Sequence, residues 1–443
     1  MCSFIFSSKE IQDLEYANLF SRRRGPDKTS ILHHEGFHFI HNLLSITGSF
    51  TVQPFVENHI FCLYNGEIYN FEDFGSDYQS DGNCLIDAYK EYGPTFCCRL
   101  DGEFAILIVD FNQRIIIAST DVFGSKPLWI GKDCDENIGL GSYKSSLERS
   151  GFTEVVKSEP NTTTIFNLDS GKLVNRFINH NFNLDQYKDS FDDWDIAFKH
   201  AVAKRTTSNK GIFIGLSSGL DSGGIACELL NQKKPFNTYS VKAAEDIEIL
   251  RQRHSTIPNA KFLEVTPKEY SEEVRFLSEK SEDFLNPSRA TRPEGYRVIE
   301  DKGSIGTGII CSHAQKDGCK IYLSGQGADE IMSDYGENGV GQPFSSLKGI
   351  FPEDLSSVFP WENFFNGVQE EFIYKDEVVG GTYGIECRYP FLDKFLVQEF
   401  LNLSAKIKNS NYKSPLRNYL MKNHFPFNEG YSHKVGFRAN CFS

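Results

Sequence analysis

The sequence predicts two domains, a β-rich domain followed by a parallel, doubly wound α/β domain. The chain has 443 residues, more than one ordinary hydrophobic core accommodates. Apolar runs separated by turn residues dominate residues 1–180, whereas the second half has short strands that lead into small-residue loops and then helices. We therefore expect the boundary in the polar, aperiodic stretch 181–192.

The β-rich half contains two predicted hairpins and one helix. Residues 103–111 and 114–120 are apolar runs separated by Asn112-Gln113, and a second pair of runs flanks Asp169-Ser170-Gly171. The segment 84–93 (CLIDAYKEYG) has helical spacing and ends at a glycine, which favours a helix stop.

The α/β half opens with an amphipathic helix over 192–205, whose acidic start suits a helix N-terminus. GIFIGL (211–216) is a short buried-type strand that runs into the loop SSGLDSGG and then into helix-like IACELLNQ. KIYLSG (320–325) is a second such strand, followed by a loop, QGADE. This order of elements predicts a parallel sheet with ligand loops at the carboxyl ends of its strands.

The composition argues against several classes of protein. A formal net charge of −14 disfavours non-specific nucleic-acid binding. No stretch approaches the ~20 apolar residues of a membrane helix, and no secretory signal is visible. The 11 cysteines are scattered without a C-x-x-C pair, which predicts the reduced thiols of a cytoplasmic protein rather than a disulfide framework or a zinc site.

Cys2 directly follows the initiator methionine, and these residues alone leave two interpretations open. Cys2 is an ordinary small residue of a first strand, or, with Met1 removed, it carries a thiol nucleophile and a free α-amine together. An α-amine has a pKa of roughly 8, so it can act as a general base near neutral pH.

The segment from Ser217 to Gly224 has the composition of an anion-binding loop. Small residues let backbone N–H groups approach a phosphate closely, and a following helix adds its positive end. Asp221, among hydroxyl groups, suits Mg²⁺ on bound phosphates. The segment is not a G-x-x-x-x-G-K-[ST] loop, so no kinase-like site is predicted, and a plain tight turn is the alternative.

Motifs along nearly the whole chain resemble the glutamine-hydrolysing asparagine synthetase family. RRGPD, LYNGEIYN, SDGNCLIDAY, LDGEFAILIVD and DVFGSKPLWIG resemble its class II glutamine amidotransferase domain. SSGLDSGG resembles the S-G-G-x-D-S loop of ATP pyrophosphatases, and YLSGQGADEI, ECRYPFLD and YKSPLRNYL resemble the synthetase domain. The resemblance implies an N-terminal-nucleophile αββα sandwich over residues 2–180, followed by a doubly wound parallel α/β ATP-pyrophosphatase domain over residues 190–443.

The resemblance also assigns roles to residues of this chain. In the first domain it implies a nucleophile, Cys2, an oxyanion hole, Asn65 with the Gly66 N–H, and two glutamine-binding residues, Glu67 and Asp81. In the second domain it implies ATP and Mg²⁺, with Lys413 stabilising negative charge as an acyl-adenylate forms. The implied ATP-binding residues are Leu216, Ser217, Ser218, Gly219, Leu220, Asp221, Ser222, Ser324 and Gly325, and the implied Mg²⁺-binding residues are Asp221 and Asp329.

The implied reaction hydrolyses glutamine, passes ammonia through an internal tunnel, and converts a small carboxylate activated by ATP into an amide. Aspartate and another small acid, such as a sugar uronate, remain open as acceptors, and a homodimer is one assembly that the resemblance allows. Two alternatives stay open: a synthetase that closes a lactam or peptide ring with an internal amine, and a non-catalytic protein that binds nucleotide or glutamine.

Three departures from the family pattern bear on these roles. In HNLLSI, Leu43 stands where the family has an arginine that clamps the glutamine α-carboxylate. Gln326 stands where the family has a glutamate beside the acyl acceptor, and an amide cannot act as a base at neutral pH. Glu386 is our hypothesis for a catalytic substitute. Gly223 replaces a serine of the phosphate loop and removes one hydroxyl donor.

Overall fold

The computed structural model describes residues 2–242, 245–282, 284–288 and 292–430. The chain divides into two compact units. The first extends to Asn181 and includes Gly381–Gly384, and the second comprises Phe182–Gly380 and the residues from Ile385 onward. None of the described helices has the length and apolar character needed to cross a membrane.

The first unit contains two six-stranded antiparallel sheets, with strand orders β10-β8-β9-β1-β3-β2 and β12-β11-β7-β6-β5-β4. Its strands are β1 Ser3–Ser7, β2 Lys28–His34, β3 Phe37–Leu43, β4 Phe55–Glu57, β5 Ile60–Ile68, β6 Gly102–Asp110, β7 Ile115–Thr120, β8 Trp129–Lys132, β9 Ile138–Gly141, β10 Glu154–Lys157, β11 Thr162–Asn167 and β12 Leu173–Ile178. Its α-helices are α1 Leu14–Ala17, α2 Ser21–Arg24, α3 Cys84–Tyr92 and α4 Lys144–Arg149.

The two sheets of this unit stack face to face, and helices cover both outer faces. Alternate side chains of β1, β3, β5 and β6 form the core between the sheets, because successive residues of a strand point to opposite faces. The outward side chains of β5 and β6 pack against α3, and those of β1 and β3 pack against α1 and α4. The layer order confirms the αββα sandwich.

Both predicted hairpins and the predicted helix are present in this unit. Strand β6 pairs antiparallel with β7, and β11 with β12, in continuous ladders apart from one bulge in the second pair. Helix α3 ends at Tyr92, and Gly93 follows with a φ of +60°, a conformation that favours glycine.

The second unit is built on a five-stranded parallel sheet with the order β15-β14-β13-β18-β21. Its strands are β13 Gly211–Gly215, β14 Asn237–Val241, β15 Ala260–Leu263, β16 Leu285–Ser288, β17 Arg292–Arg297, β18 Cys319–Leu323, β19 Gly336–Glu337, β20 Val340–Gly341 and β21 Glu386–Arg388. Its α-helices are α5 Asp192–Lys204, α6 Leu220–Asn231, α7 Ile247–Thr256, α8 Pro267–Lys280, α9 Lys302–Lys316, α10 Ala328–Met332, α11 Glu362–Phe365, α12 Val368–Thr382, α13 Lys394–Asn402, α14 Ala405–Lys408 and α15 Ser414–Lys422.

The strand order of this sheet reverses at β13, as expected for a doubly wound fold, and ligands bind such sheets beyond the carboxyl ends of the strands at the reversal. Two predicted loops are shorter than expected. Helix α6 begins at Leu220 and helix α10 at Ala328, so Asp221 and Asp329 lie in first helical turns rather than in loops. Carboxylates are stabilised there by the positive end of the helix dipole, which favours these earlier starts.

Candidate active sites

Cys2 immediately precedes β1 and contacts the chain just beyond β3. The backbone N–H of Leu44 donates to Cys2 Sγ at 3.5 Å, and the Leu44 carbonyl oxygen lies 3.8 Å from the same sulfur. The buried Arg24 donates through Nε to the Cys2 carbonyl oxygen at 3.1 Å and through Nη1 to Tyr143 Oη at 3.3 Å. These contacts hold the thiol and its backbone in one place.

Asn65 on β5 is a fully buried amide that the fold leaves unsatisfied. Its side chain is 0% exposed, and neither Oδ1 nor Nδ2 has a hydrogen-bond partner among the described residues. By strand alternation Asn65 faces the layer between the sheets, as does Leu63, and Cys2 is in phase with Phe4 of the same layer. Burying an unpaired amide costs about 1–3 kcal/mol, so a retained one indicates a ligand-binding role.

Gly66 and Glu67 follow Asn65 on the same strand. Gly66 has a φ of +144°, and a β-carbon there would lie 1.9 Å from the Glu103 carbonyl oxygen, so glycine is required. The side chain of Glu67 is buried, and its Oε2 accepts a hydrogen bond from Thr47 Oγ1 at 2.8 Å. The backbone geometry next to Asn65 is therefore fixed by packing against β6.

Asp81 lies beyond the end of β5. Its Oδ2 accepts hydrogen bonds from Tyr64 Oη at 2.6 Å and from the Ile68 backbone N–H at 2.8 Å. Leu43, at the arginine position of the resemblance, is buried and apolar. His41 on the same strand is fully buried, and burial lowers its pKa to about 3, so the imidazole is neutral at physiological pH.

In the second unit, the predicted phosphate loop connects β13 to α6 and is ordered by its own hydroxyl groups. The Ser217 N–H donates to Ser222 Oγ at 3.0 Å, and the Gly219 N–H donates to Ser217 Oγ at 3.1 Å. The Ser218 N–H and Oγ both donate to Glu245 Oε2, at 2.6 and 2.5 Å. The N–H and hydroxyl donors of Ser218 in this loop thus already bind one anionic group, the Glu245 carboxylate.

Gly223 lies against a buried arginine, Arg253, that no sequence motif singled out. Nη1 of Arg253 donates to the carbonyl oxygens of Ser217 at 2.5 Å and Gly219 at 2.9 Å. A β-carbon on Gly223 would lie 2.5 Å from Arg253 Nη2. A serine at this position would therefore have to displace the guanidinium that supports the loop.

Tyr412 and Lys413 meet two acidic residues that are distant in sequence, Asp221 and Asp329, beside this loop. Lys413 Nζ lies 2.5 Å from Asp221 Oδ1 and 2.6 Å from Asp329 Oδ1, and Tyr412 Oη donates to Asp329 Oδ1 at 2.5 Å. Lys413 is buried and precedes α15 with a φ of +48°, a left-handed conformation that is uncommon for a non-glycine residue. Such strain is typical of functional sites, because folding alone does not favour it.

A cavity of about 420 Å³ opens between the phosphate loop, the end of β18, and helices α9 and α12. The predicted ATP-binding residues that line it are Leu216, Ser217, Asp221, Ser222, Ser324 and Gly325. Ser218, Gly219 and Leu220 are not among its lining residues. A β-carbon on Gly325 would lie 2.9 Å from Asp221 Cβ, so the two loops approach each other as closely as their backbones allow.

Gln326 lines the cavity, whereas Glu386 is not among the described lining residues. Glu386 is buried in β21, where its Oε1 accepts a hydrogen bond from Arg388 Nε at 2.7 Å. Three further charged residues line the cavity and were missed by the sequence analysis: Asp301, Lys375 and Asp376. The only sequence signal for Lys375 and Asp376 is a run of three adjacent charges within the otherwise apolar segment FIYKDEVV, and Asp301 has no such signal.

Both halves of the chain match known families. Residues 1–180 match the glutamine amidotransferase domain family, and residues 193–339 match the asparagine synthase family. The chain is 25% identical over 478 residues to asparagine synthetase [glutamine-hydrolyzing] of Gallus gallus, covering 96% of this chain and 81% of that protein. It is 26% identical over 415 residues to putative asparagine synthetase [glutamine-hydrolyzing] 1 of Methanocaldococcus jannaschii, covering 84% and 70%.

Among solved structures, glutamine phosphoribosylpyrophosphate amidotransferase from B. subtilis matches with a TM-score of 0.36 and 14% identity, over 94% of this chain and 95% of that one. The order of the two matched domains defines the class of protein: an amidotransferase domain joined to a synthetase domain. The chain belongs to the glutamine-hydrolysing asparagine synthetase family, as its motifs predict, and it is an enzyme of the ligase class.

Proposed function

We propose that this enzyme hydrolyses glutamine in its first unit and forms an amide at the expense of ATP in its second. The observation that carries the proposal is the cluster in which Lys413 Nζ lies 2.5 and 2.6 Å from Asp221 and Asp329, beside the serine-glycine loop. A buried cation between two carboxylates, next to backbone donors for an anion, suits the charge that develops during phosphate displacement.

In the first unit, Cys2 is the nucleophile that attacks the glutamine side-chain amide. With Met1 removed, its α-amine takes the thiol proton and later delivers it to the leaving ammonia. The Asn65 amide, which has no hydrogen-bond partner among the described residues, and the Gly66 N–H stabilise the oxyanion of the tetrahedral intermediate. Glu67 and Asp81 bind the polar groups of glutamine.

Leu43 removes the strongest contact available to the glutamine α-carboxylate. A charge-assisted arginine–carboxylate pair is about twice as strong as a neutral hydrogen bond, and leucine offers none. Arg24, a buried cation beside Cys2, already donates to the Cys2 carbonyl and to Tyr143. We therefore expect a high KM for glutamine and efficient use of free ammonium.

In the second unit, the loop beginning at Ser217 binds the ATP phosphates, and the acceptor carboxylate attacks the α-phosphorus to form an acyl-adenylate and pyrophosphate. Lys413 neutralises the charge that builds up. Asp221 and Asp329 fit a Mg²⁺ site, because their oxygens already meet at one cation and Mg²⁺ prefers carboxylate ligands. When bound, Mg²⁺ neutralises phosphate charge.

The far part of the cavity favours an amino acid as the acceptor. Lys375 Nζ lies 3.4 Å from Asp301 Oδ2, so this region offers both a cation and a carboxylate. A zwitterion such as aspartate satisfies both kinds of charge, whereas a sugar uronate presents only an anion and hydroxyl groups. Aspartate is therefore our first candidate, with uronates second.

The test is the release of pyrophosphate and AMP from ATP and Mg²⁺ with aspartate and ammonium. Ammonium removes any dependence on glutamine binding. Stoichiometric pyrophosphate, AMP and asparagine support the proposal. If product forms only with glucuronate or another acid, that acid rather than aspartate is the acceptor. If no acid of the panel gives pyrophosphate, synthetase activity is refuted.

A further inference from the structure

Asp376 is a buried carboxylate at the wall of the cavity, and no family motif includes it. It lies on α12, is 2% exposed, and lines the cavity together with Ser324 and Gln326. Ser324 Oγ donates to Asp376 Oδ2 at 2.6 Å, and the Gln326 side chain also hydrogen-bonds to the carboxylate. The carboxylate therefore faces the segment that follows β18.

That segment connects Asp376 to the phosphate site. Gly325, between Ser324 and Gln326, packs so closely on Asp221 that a β-carbon would lie 2.9 Å from Asp221 Cβ. This short segment thus contacts Asp221, which pairs with Lys413, on one side, and Asp376 on the other. An acyl-adenylate whose phosphate lies beside Asp221 has its acyl carbon near this segment.

Two other acidic side chains of this region, Asp301 and Glu386, are held by other groups. Asp301 accepts hydrogen bonds from the Gly303 and Ser304 N–H groups at the start of α9 and pairs with Lys375. Glu386 pairs with Arg388 at 2.7 Å and is not a described lining residue. Gln326 does not ionise at neutral pH.

We propose that Asp376 is the base that accepts a proton from ammonia as the amide forms, in place of the family glutamate that is Gln326 here. The inference rests on the proposed function. The nitrogen lone pair forms the new C–N bond to the acyl carbon. One N–H proton passes to a carboxylate oxygen of Asp376, and the bond from the acyl carbon to the AMP oxygen breaks with its electron pair leaving on AMP. The carboxylic acid then returns its proton to water.

The surroundings of Asp376 suit this task. Burial raises its pKa to about 6, against the stabilising effect of Lys375 and of the hydrogen bonds from Ser324 and Gln326. The ionisable groups that face it are Lys375 and Glu377 on α12, Tyr322 on β18 and Cys311 on α9. The pKa values of Tyr322 and Cys311 are raised by burial and by the charge of Asp376, so both groups are neutral near pH 7.

The experiment compares Asp376→Asn with the full-length wild-type enzyme in two assays, with aspartate and then glucuronate as the acceptor. ATP–pyrophosphate exchange reports adenylation, and amide formation from ammonium reports the later step. Asparagine at 376 still accepts a hydrogen bond from Ser324, so we expect exchange within threefold of wild type. Amide formation is expected to fall about 10²–10⁴-fold, the usual contribution of a general base.

A pH series adds a readout that a structural role would not produce. The ratio of wild-type to variant amide formation cancels the ionisation of ammonium, and it should rise about tenfold per pH unit below pH 6 and level off above it. Glu377→Gln is the matched control: it changes the adjacent buried acid, which hydrogen-bonds to Tyr389 Oη at 3.0 Å and does not line the cavity. It should keep a low-pH limb, moved only towards lower pH, because the charge of Glu377 helps to raise the pKa of Asp376.

The outcomes separate this inference from the proposed function. Equal losses of exchange and amide formation in Asp376→Asn, or a flat pH ratio, overturn the role of Asp376 while adenylation stands. Absence of exchange in the wild type with every acid refutes the proposed function and this inference with it. If Asp376→Asn does not fold, Asp376→Glu replaces it: partial amide formation with a shifted low-pH limb supports the proposal, and an unshifted limb overturns it.

Discussion

Replacing Asn65 with alanine should affect stability and glutamine hydrolysis in opposite ways. The side chain is 0% exposed, and both of its polar atoms lack a hydrogen-bond partner among the described residues. Its removal therefore relieves a desolvation cost of about 1–3 kcal/mol. A residual cavity of roughly 50 Å³ offsets about 1 kcal/mol of that gain. We expect an unchanged or slightly higher free energy of unfolding.

Hydrolysis should respond in the opposite direction. Loss of one oxyanion-hole donor costs about 2.7–4 kcal/mol in the transition state, which corresponds to a 10²–10³-fold lower kcat. The assay is glutamate release from glutamine, alongside pyrophosphate release with ammonium. The second activity should be unchanged in Asn65→Ala, because it does not use the first unit's chemistry.

Asn179→Ala provides the matched control within the same unit. Asn179 is also buried, but its Nδ2 donates to Ser119 Oγ at 3.1 Å and to the Thr120 carbonyl oxygen at 2.9 Å, and its Oδ1 accepts from Thr163 Oγ1 at 2.6 Å. Losing three hydrogen bonds should cost roughly 2–4 kcal/mol and lower the Tm, with glutamate release retained by the folded protein. The reasoning fails if Asn65→Ala lowers the Tm as much as Asn179→Ala, or keeps glutamate release within threefold of wild type.

Three further variants test other parts of the molecule. Lys413→Met should reduce pyrophosphate release at least 10³-fold and leave glutamate release unchanged, because the charge of Lys413 lies between Asp221 and Asp329. If the variant retains pyrophosphate release, the proposed role of Lys413 is excluded. Gly223→Ser should lower the Tm and raise the KM for ATP, because its β-carbon would lie 2.5 Å from Arg253 Nη2, and a fully tolerated serine would contradict that packing. His41 has a pKa of about 3 in the folded state and about 6.5 in the unfolded state. Between these pH values only the unfolded chain binds the proton, so the free energy of unfolding rises with pH. Urea unfolding of His41→Gln should show a slope shallower by up to about 1.4 kcal/mol per pH unit there, and an unchanged slope would refute a neutral buried imidazole.

Much of the fold was predictable because its signals are local. The turn at Asn112-Gln113 and the alternating strands around it form the hairpin of β6 and β7. The grouping of Lys413 with Asp221 and Asp329 followed only from the resemblance, since no local pattern relates residues 192 positions apart. The contacts agree with that grouping, while the role of each residue stays a proposal.

Other features were not predictable because tertiary packing decides them. Asp376 looks like an ordinary charge on a helix surface, and its burial depends on where α12 lies against β18. Gly223 and Arg253 are 30 residues apart in the chain. Their contact depends on the tertiary structure, which places the guanidinium against the phosphate loop. Gly223 is itself a departure from the family pattern, and Asp376 hydrogen-bonds to another, Gln326.

The three departures differ in what surrounds them. At Gly223 a guanidinium occupies the space that a serine side chain would need, and at Gln326 a buried carboxylate lies within hydrogen-bonding reach. Leu43 is different: it is buried and apolar, and Arg24, a buried cation of the same unit, is engaged with the backbone of Cys2. We expect a departure that is offset by a neighbouring group, as at Gly223 and Gln326, to preserve the chemistry of its site. We expect a departure without such a group, as at Leu43, to weaken it. We therefore expect divergence from the relatives to appear in the KM for glutamine, and we expect the ammonium-dependent reaction of the second unit to be retained if the proposed roles of Lys413 and Asp376 hold.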